Sequence, residues 1–140
     1  MGHNMINNIG DCKLINISGK LIGAHSEFEN LLRETLLSKI VVKNLRKGDI
    51  TSPIDSKDKI QKMPFWKVII NSYVEDIIDK EGFKGISELK KELKIFKNDS
   101  SPTVDALEEQ KLHYGKLMRM TELLAKKNHK LREEWRGMLI

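Results

Sequence analysis

Carboxylates, imidazoles and one thiol are the groups in this chain able to transfer protons, bind metals or attack a substrate, so their spacing is read first. Glu75, Asp76 and Asp79 stand close together near the end of a helical pattern. Magnesium-dependent phosphoryl transfer uses such clusters, but Lys80 follows directly, and the default for such a group is a solvated face. His3, His25, His113 and His129 are scattered, with no two at the spacing of a helical zinc site. His129 and Glu133 are four residues apart and within reach of one metal ion, yet that spacing is far more often a surface pair. Cys12 is the single cysteine, which excludes an intrachain disulfide framework and a multi-cysteine zinc site. Gly19 and Gly23 lack the glycine-lysine-serine/threonine ending of a phosphate loop, and no serine sits in a nucleophile elbow. The expectation is a protein that is not an enzyme, with no catalytic residues, metal or cofactor and no evident small-molecule substrate.

Binding chemistry is better represented. Charged residues make up 32% of the 140, with a formal net charge of +5, so acidic partners are favoured, nucleic acid first. The excess is concentrated: residues 111–132 hold seven lysines or arginines against one acidic residue, Glu122. At roughly 100° per residue, Lys116, Arg119, Lys126, Lys127 and Lys130 form a basic strip on one helix. Beside it, Leu117, Met120, Leu124, Leu131 and Trp135 recur at three, four and seven residues as an apolar face, continued by Met138. The apolar face is expected to meet a second copy or a helical partner, and the basic strip a polyanion. Lys39, Lys43, Arg46 and Lys47 form a second basic stripe, which dipole compensation and solubility also explain.

The elements that must position these residues read as helices. Ser26 to Glu29 matches a capping box ahead of Phe28, Leu32, Leu36 and Ile40, giving a helix over 26–47 that Gly48 stops. Residues 48–63 are polar with turn signals, a loop or linker in which one turn of helix near 57–61 is conceivable. Pro64 opens a helix over 64–81, Gly82 to Gly85 is a tight connection, and a shorter helix covers 87–96. Ser101 and Pro102 then open the long helix, 102–136, with Asp105, Glu108 and Glu109 near its positive end. At the other end, residues 5–25 contain two short extended pieces about Ser18 and Gly19, readable as a β-hairpin that would have to pack on helices. The fold class is mostly α: one domain over 1–140, about four helices in a small bundle with a long C-terminal helix and room for that hairpin.

Residues 86–107 have a helix-turn-helix flavour, although the connection is long and Asp105, Glu108 and Glu109 would repel phosphates. At residues 64–124 the chain also resembles the small terminase subunits of tailed phages. The resemblance rests on Pro64-Phe-Trp opening a helix, Tyr73-Val-Glu-Asp-Ile-Ile-Asp-Lys-Glu-Gly-Phe83 closing it, and Ser101-Pro-Thr-Val opening a long one. It departs from the family at 86–96, helical here where an extended stretch is usual, and at Ser101, which replaces an asparagine or histidine. The resemblance implies a non-catalytic DNA-recognition protein that assembles into rings for viral DNA packaging.

The expected function is therefore DNA binding and assembly in the cytoplasm, with DNA ahead of RNA. A protein–protein adaptor or inhibitor using the amphipathic C-terminal helix is the alternative, and a small enzyme of unrecognised type the third. No run approaches 18 apolar residues, and no basic segment leads into an apolar core near the start, so neither membrane insertion nor secretion is expected.

Overall fold

Leu21, Phe28, Thr35 and Val42 recur every seven residues and are all buried, as are Ala24, Leu32 and Ser38 between them. That repeat runs through one helix, α1 (Gly2–Arg46). The computed structural model describes residues 2–49, 53–98 and 103–139, with side chains over 19–49, 55–98 and 103–139. Four further helices follow: α2 (Pro53–Lys62), α3 (Phe65–Val74), α4 (Lys80–Asn98) and α5 (Val104–Leu139). No strand occurs among the described residues.

The hairpin expected over 5–25 is therefore replaced by helix. The three-to-four spacing of Leu21, Ala24 and Phe28 carries the buried face of α1 past the glycines, and a lone hairpin offers no such burial. Glycine inside a helix costs roughly 1 kcal/mol relative to alanine, which packing of this face outweighs. Ser26 consequently caps nothing, and Glu29 instead accepts a hydrogen bond from Arg33 Nη2 at 2.9 Å.

The stretch read as a loop over 48–63 holds α2. Asp55 lies in its first turn and Lys59 and Lys62 in its last, the charge order a helix dipole favours. Arg33 closes its far end, donating to the carbonyls of Ile60 at 2.6 Å and Met63 at 2.7 Å. Ile60 O also accepts from Met63 N at 3.2 Å, and the guanidinium from α1 adds a charged donor to these carbonyls where the helix ends.

The helix expected over 64–81 stops at Val74. Asp76 adopts φ 59, a left-handed conformation, and Ile77 N turns back to Ser72 O at 2.9 Å. Asp79 Oδ1 then accepts from Gly82 N at 2.7 Å, an N-cap that starts α4 ahead of the glycines read as a connection. A Cβ on Gly82 would lie 3.3 Å from that oxygen, so glycine lets the cap close tightly. Thr103 Oγ1 caps α5 by accepting from Ala106 N at 3.2 Å, while the expected cap at Ser101 and Pro102 falls outside the described residues.

Cross-contacts fix the order of the helices in space. His25 meets His113, Ser38 meets Asn128 and Arg46 meets Glu134, at nearly constant separation in sequence, so α1 and α5 run parallel and side by side. α2 returns alongside α1 to Arg33, and α3 climbs again from Phe65 beside Phe28 to Glu75 beside Lys43. From the α3–α4 corner, where Ile77 meets Lys127, α4 descends to Glu92 at His113. The core fills the space between: Phe28, Leu32 and Leu36 of α1 pack with Ile60, Val68, Ile86, Leu89, Leu117 and Leu124.

A candidate partner-binding groove

The parallel α1–α5 pair is a seam of the coiled-coil kind with polar groups set into it. Such groups fix register, because sliding would leave them buried and unpaired. Ser38 Oγ donates to Asn128 Oδ1 at 3.0 Å, and both residues are buried. Below them, Glu92 Oε2 lies 2.8 Å from His113 Nδ1, and His113 Nε2 lies 2.7 Å from His25 Nε2. An ionised Glu92 only accepts, so His113 carries a proton on Nδ1, and the two Nε2 atoms share one proton between them. Phe96 packs its ring edge-on to His113 at 5.4 Å between centroids. Burial, and then the charges of His113, Lys90 and Lys97, push the His25 pKa down from 6.5 to about 4. No group of three or more His, Cys, Asp or Glu residues placed to hold a metal ion occurs among the described residues. The three groups form a linear hydrogen-bond chain that joins α1, α5 and α4. His129 and Glu133 form an exposed pair at 3.4 Å.

The residues expected to face a partner divide sharply. Leu117 and Leu124 are buried in the chain's own core, 1% and 3% exposed, so that face of α5 is spent on α1 rather than on another molecule. Met120, Leu131 and Trp135 are half-buried at its margin. On α1, Lys43 pairs with Glu75 at 2.9 Å and Arg46 pairs with Glu134, so half of the second basic stripe is committed inside the fold. Lys39 is half-buried in a cleft with Glu75 and Asp76, and Lys47 is exposed beyond the last turn. On α5, Lys116, Arg119, Lys126, Lys127 and Lys130 are all exposed. Lys127 Nζ donates to Ile77 O at 2.7 Å and so pins the α3–α4 corner to α5.

These α5 cations edge a groove. One cleft of about 350 Å³ has Phe28, Ile77, Ile78, Met120, Leu123 and Leu124 in its walls, with Lys126, Lys127 and Lys130 on one side and Asp79 on the other. A second, of about 320 Å³, shares Met120 and Leu123 and sets Lys116 and Arg119 opposite Glu88 and Glu92. A third, of about 200 Å³, shares Ile77, Lys127 and Lys130 and adds Lys39, Glu75 and Asp76. The clefts follow one another along the line between α5 and the α3–α4 corner. Their floor is apolar, the α5 edge cationic and the facing edge anionic. Leu123, 64% exposed, stands in the middle of it.

The sequence reading singles out the basic edge and, of the acidic one, Glu75, Asp76 and Asp79 as a solvated cluster, but not Glu88 and Glu92. Glu88 and Glu92 look like solvated helix charge until α4 is known to run beside α5. The exposed Leu123 was equally hidden, since it neighbours a core position and breaks the apolar period.

Comparison with protein-family models, with curated proteins and with solved structures finds no match for this chain. Among the described residues no helix is long and apolar enough to cross a membrane.

Proposed function

We propose that this chain is a non-catalytic recognition module whose α5-edged groove receives an amphipathic helix from a protein partner. One observation carries the reading: an apolar floor lies between a row of cations, Lys116, Arg119, Lys126 and Lys130, and a row of carboxylates, Glu88, Glu92 and Asp79. Helix-in-groove recognition needs an apolar trough, and charged rims select the orientation of what lies in it. The fitting helix bears an apolar stripe with acidic residues on the edge toward α5 and basic residues on the other. Duplex DNA has no use for the trough, and the facing carboxylates oppose its phosphates. Designed peptides test the proposal by fluorescence anisotropy. The peptide with charges in this order should bind at least tenfold tighter than the same peptide with its charged edges exchanged, and Leu123→Asp should abolish the difference. Equal binding of the two peptides overturns it.

A second reading, DNA binding and assembly, rests on the exposure of Lys116, Arg119, Lys126 and Lys130. None of them has a carboxylate within ion-pair distance among the described residues. It is also what the resemblance to phage small terminase subunits implies. Phosphate neutralisation predicts affinity falling with salt at a slope of roughly 0.9 per contact, and Lys126→Glu with Lys130→Glu weakening all duplexes alike. Absence of duplex binding at low salt ends this reading. Both readings take the lone Cys12 as fitting a reducing cytoplasm.

A further inference from the structure

α3 is mostly apolar, interrupted by Lys67, Asn71 and Ser72, yet one of its apolar faces is open. Val68, Ile69 and Ser72 are buried against the rest of the chain. On the opposite face Trp66, Ile70, Tyr73 and Val74 stand 63%, 44%, 44% and 67% exposed. Their spacing of four, three and one puts them in a single stripe along the helix. With ordinary side-chain areas the stripe leaves of the order of 400 Å² of apolar surface in water, the size of patch that marks an interface on a small protein. Its make-up, a tryptophan and a tyrosine beside branched aliphatics, is that of an interface centre.

We propose that this face binds the same face of a second copy, the two α3 helices running antiparallel about a two-fold axis near Ile70. The charges flanking the stripe favour this occupant. Lys67 stands at its N-terminal end and Asp76 and Asp79 at its C-terminal end, all exposed, while Lys62, also at the N-terminal end, is paired with Asp58 at 3.0 Å. Antiparallel pairing lays the cationic end of each copy over the anionic end of the other and opposes the two helix dipoles favourably. It also sets Trp66 against the partner copy's Val74, large against small. A two-fold contact closes on itself, so it yields a dimer and not a filament. The patch supplies about half of the roughly 800 Å² per partner of a standard interface, so the dimer is a weak one, in equilibrium with monomer at micromolar concentrations. This surface borders the α5-edged groove at Asp76 and Asp79, but Trp66, Ile70, Tyr73 and Val74 line none of its clefts, so the dimer can be tested separately from what fills the groove.

Sedimentation equilibrium tests the proposal through the two-fold axis itself. Wild type should show mass rising toward that of a dimer with concentration. Ile70→Asp and Ile70→Lys should each weaken association more than tenfold, because each brings like charges together at the axis. An equimolar mixture of the two variants should associate again, as one Asp then meets one Lys. Circular dichroism checks that both variants keep their helix, and Trp66→Gln, at a more exposed position, supplies a milder loss. A wild type that stays monomeric at several hundred micromolar overturns the proposal. So does unchanged association of either single variant, or a mixture that remains monomeric while both variants are folded.

Discussion

The Nε2 atoms of His25 and His113 lie 2.7 Å apart, and the other nitrogen of His113 is held by Glu92 at 2.8 Å. Two imidazoles at that distance share a hydrogen bond only while one of them offers a lone pair. A second proton puts like charges in contact inside a seam that excludes water.

Acid should therefore loosen this protein through His25. Its pKa in the folded chain, about 4, lies below the ordinary 6.5, so the unfolded chain binds more protons between those values. The stabilisation is complete above pH 6.5 and is lost as pH falls toward about 4. Desolvation leads, with the charges of His113, Lys90 and Lys97 adding to it, while Glu92 holds His113 from the other side. Thermal unfolding followed across this window should show a falling midpoint. In His25→Gln, which keeps a donor without a titrating ring, the fall should be shallower. Carboxylate titration acts on both proteins, so the difference between the curves reports His25. Parallel curves would remove the histidine pair as the cause.

Arg33 ties α1 to the end of α2 through backbone carbonyls. Its guanidinium reaches Ile60 O and Met63 O at 2.6 and 2.7 Å while Glu29 holds its second nitrogen. Both carbonyl bonds come from Nη1 and the Glu29 bond from Nη2, so a lysine, with one nitrogen, cannot serve the carbonyls and Glu29 in the same geometry. Arg33→Lys should cost about 1–2 kcal/mol and Arg33→Met about 2–3 kcal/mol in urea unfolding, since hydrogen bonds to a charged donor are worth roughly 1.5–3 kcal/mol. Hydrogen exchange should accelerate first in α2. Uniform acceleration across the chain would mean that the contact holds more than α2.

What could be read from the sequence follows periodicity over distance. The long α5 was legible because Leu117, Leu124 and Leu131 repeat every seven residues with few interruptions. The first half of α1 was not, because Gly19, Gly23 and the β-branched Ile15 and Ile17 imitate a turn between strands, and only burial of Leu21 and Ala24 decides against it. The α3–α4 corner was misplaced for a local reason. Asp76 takes the left-handed conformation that a glycine would have announced. The basic edge of the groove was visible because its residues share one helix. Glu88 and Glu92 of the acidic edge and the histidine chain were not, because Glu92 and His25 reach α5 only through the fold.

Asp76 itself yields a prediction. Aspartate tolerates φ 59 better than most residues, at some cost in energy, and glycine has none of that steric cost. Asp76→Gly should leave stability unchanged or raise it by up to about 1 kcal/mol, the gain being limited by glycine's greater freedom in the unfolded chain. Asp76→Val should lower it by about 1–2 kcal/mol, because a β-branched residue is strained there. Equal stability of the two variants in denaturant unfolding would show that the corner relaxes out of the left-handed region.

Leu123 and Leu124 are neighbours with opposite fates, and together they separate folding from binding. Leu124 is 3% exposed and packs in the core, whereas Leu123 is 64% exposed in the groove. Leu124→Ala should cost about 2–4 kcal/mol through lost transfer energy and the cavity left behind. Leu124→Asp should fail to fold at all, since it buries a carboxylate among apolar core side chains. Leu123→Asp should change the unfolding midpoint little and abolish capture of a helical partner. If Leu124→Asp folds normally and only changes association, α5 presents its seam outward and does not pair with α1. If Leu123→Asp unfolds the chain, the groove is part of the core and cannot receive a partner.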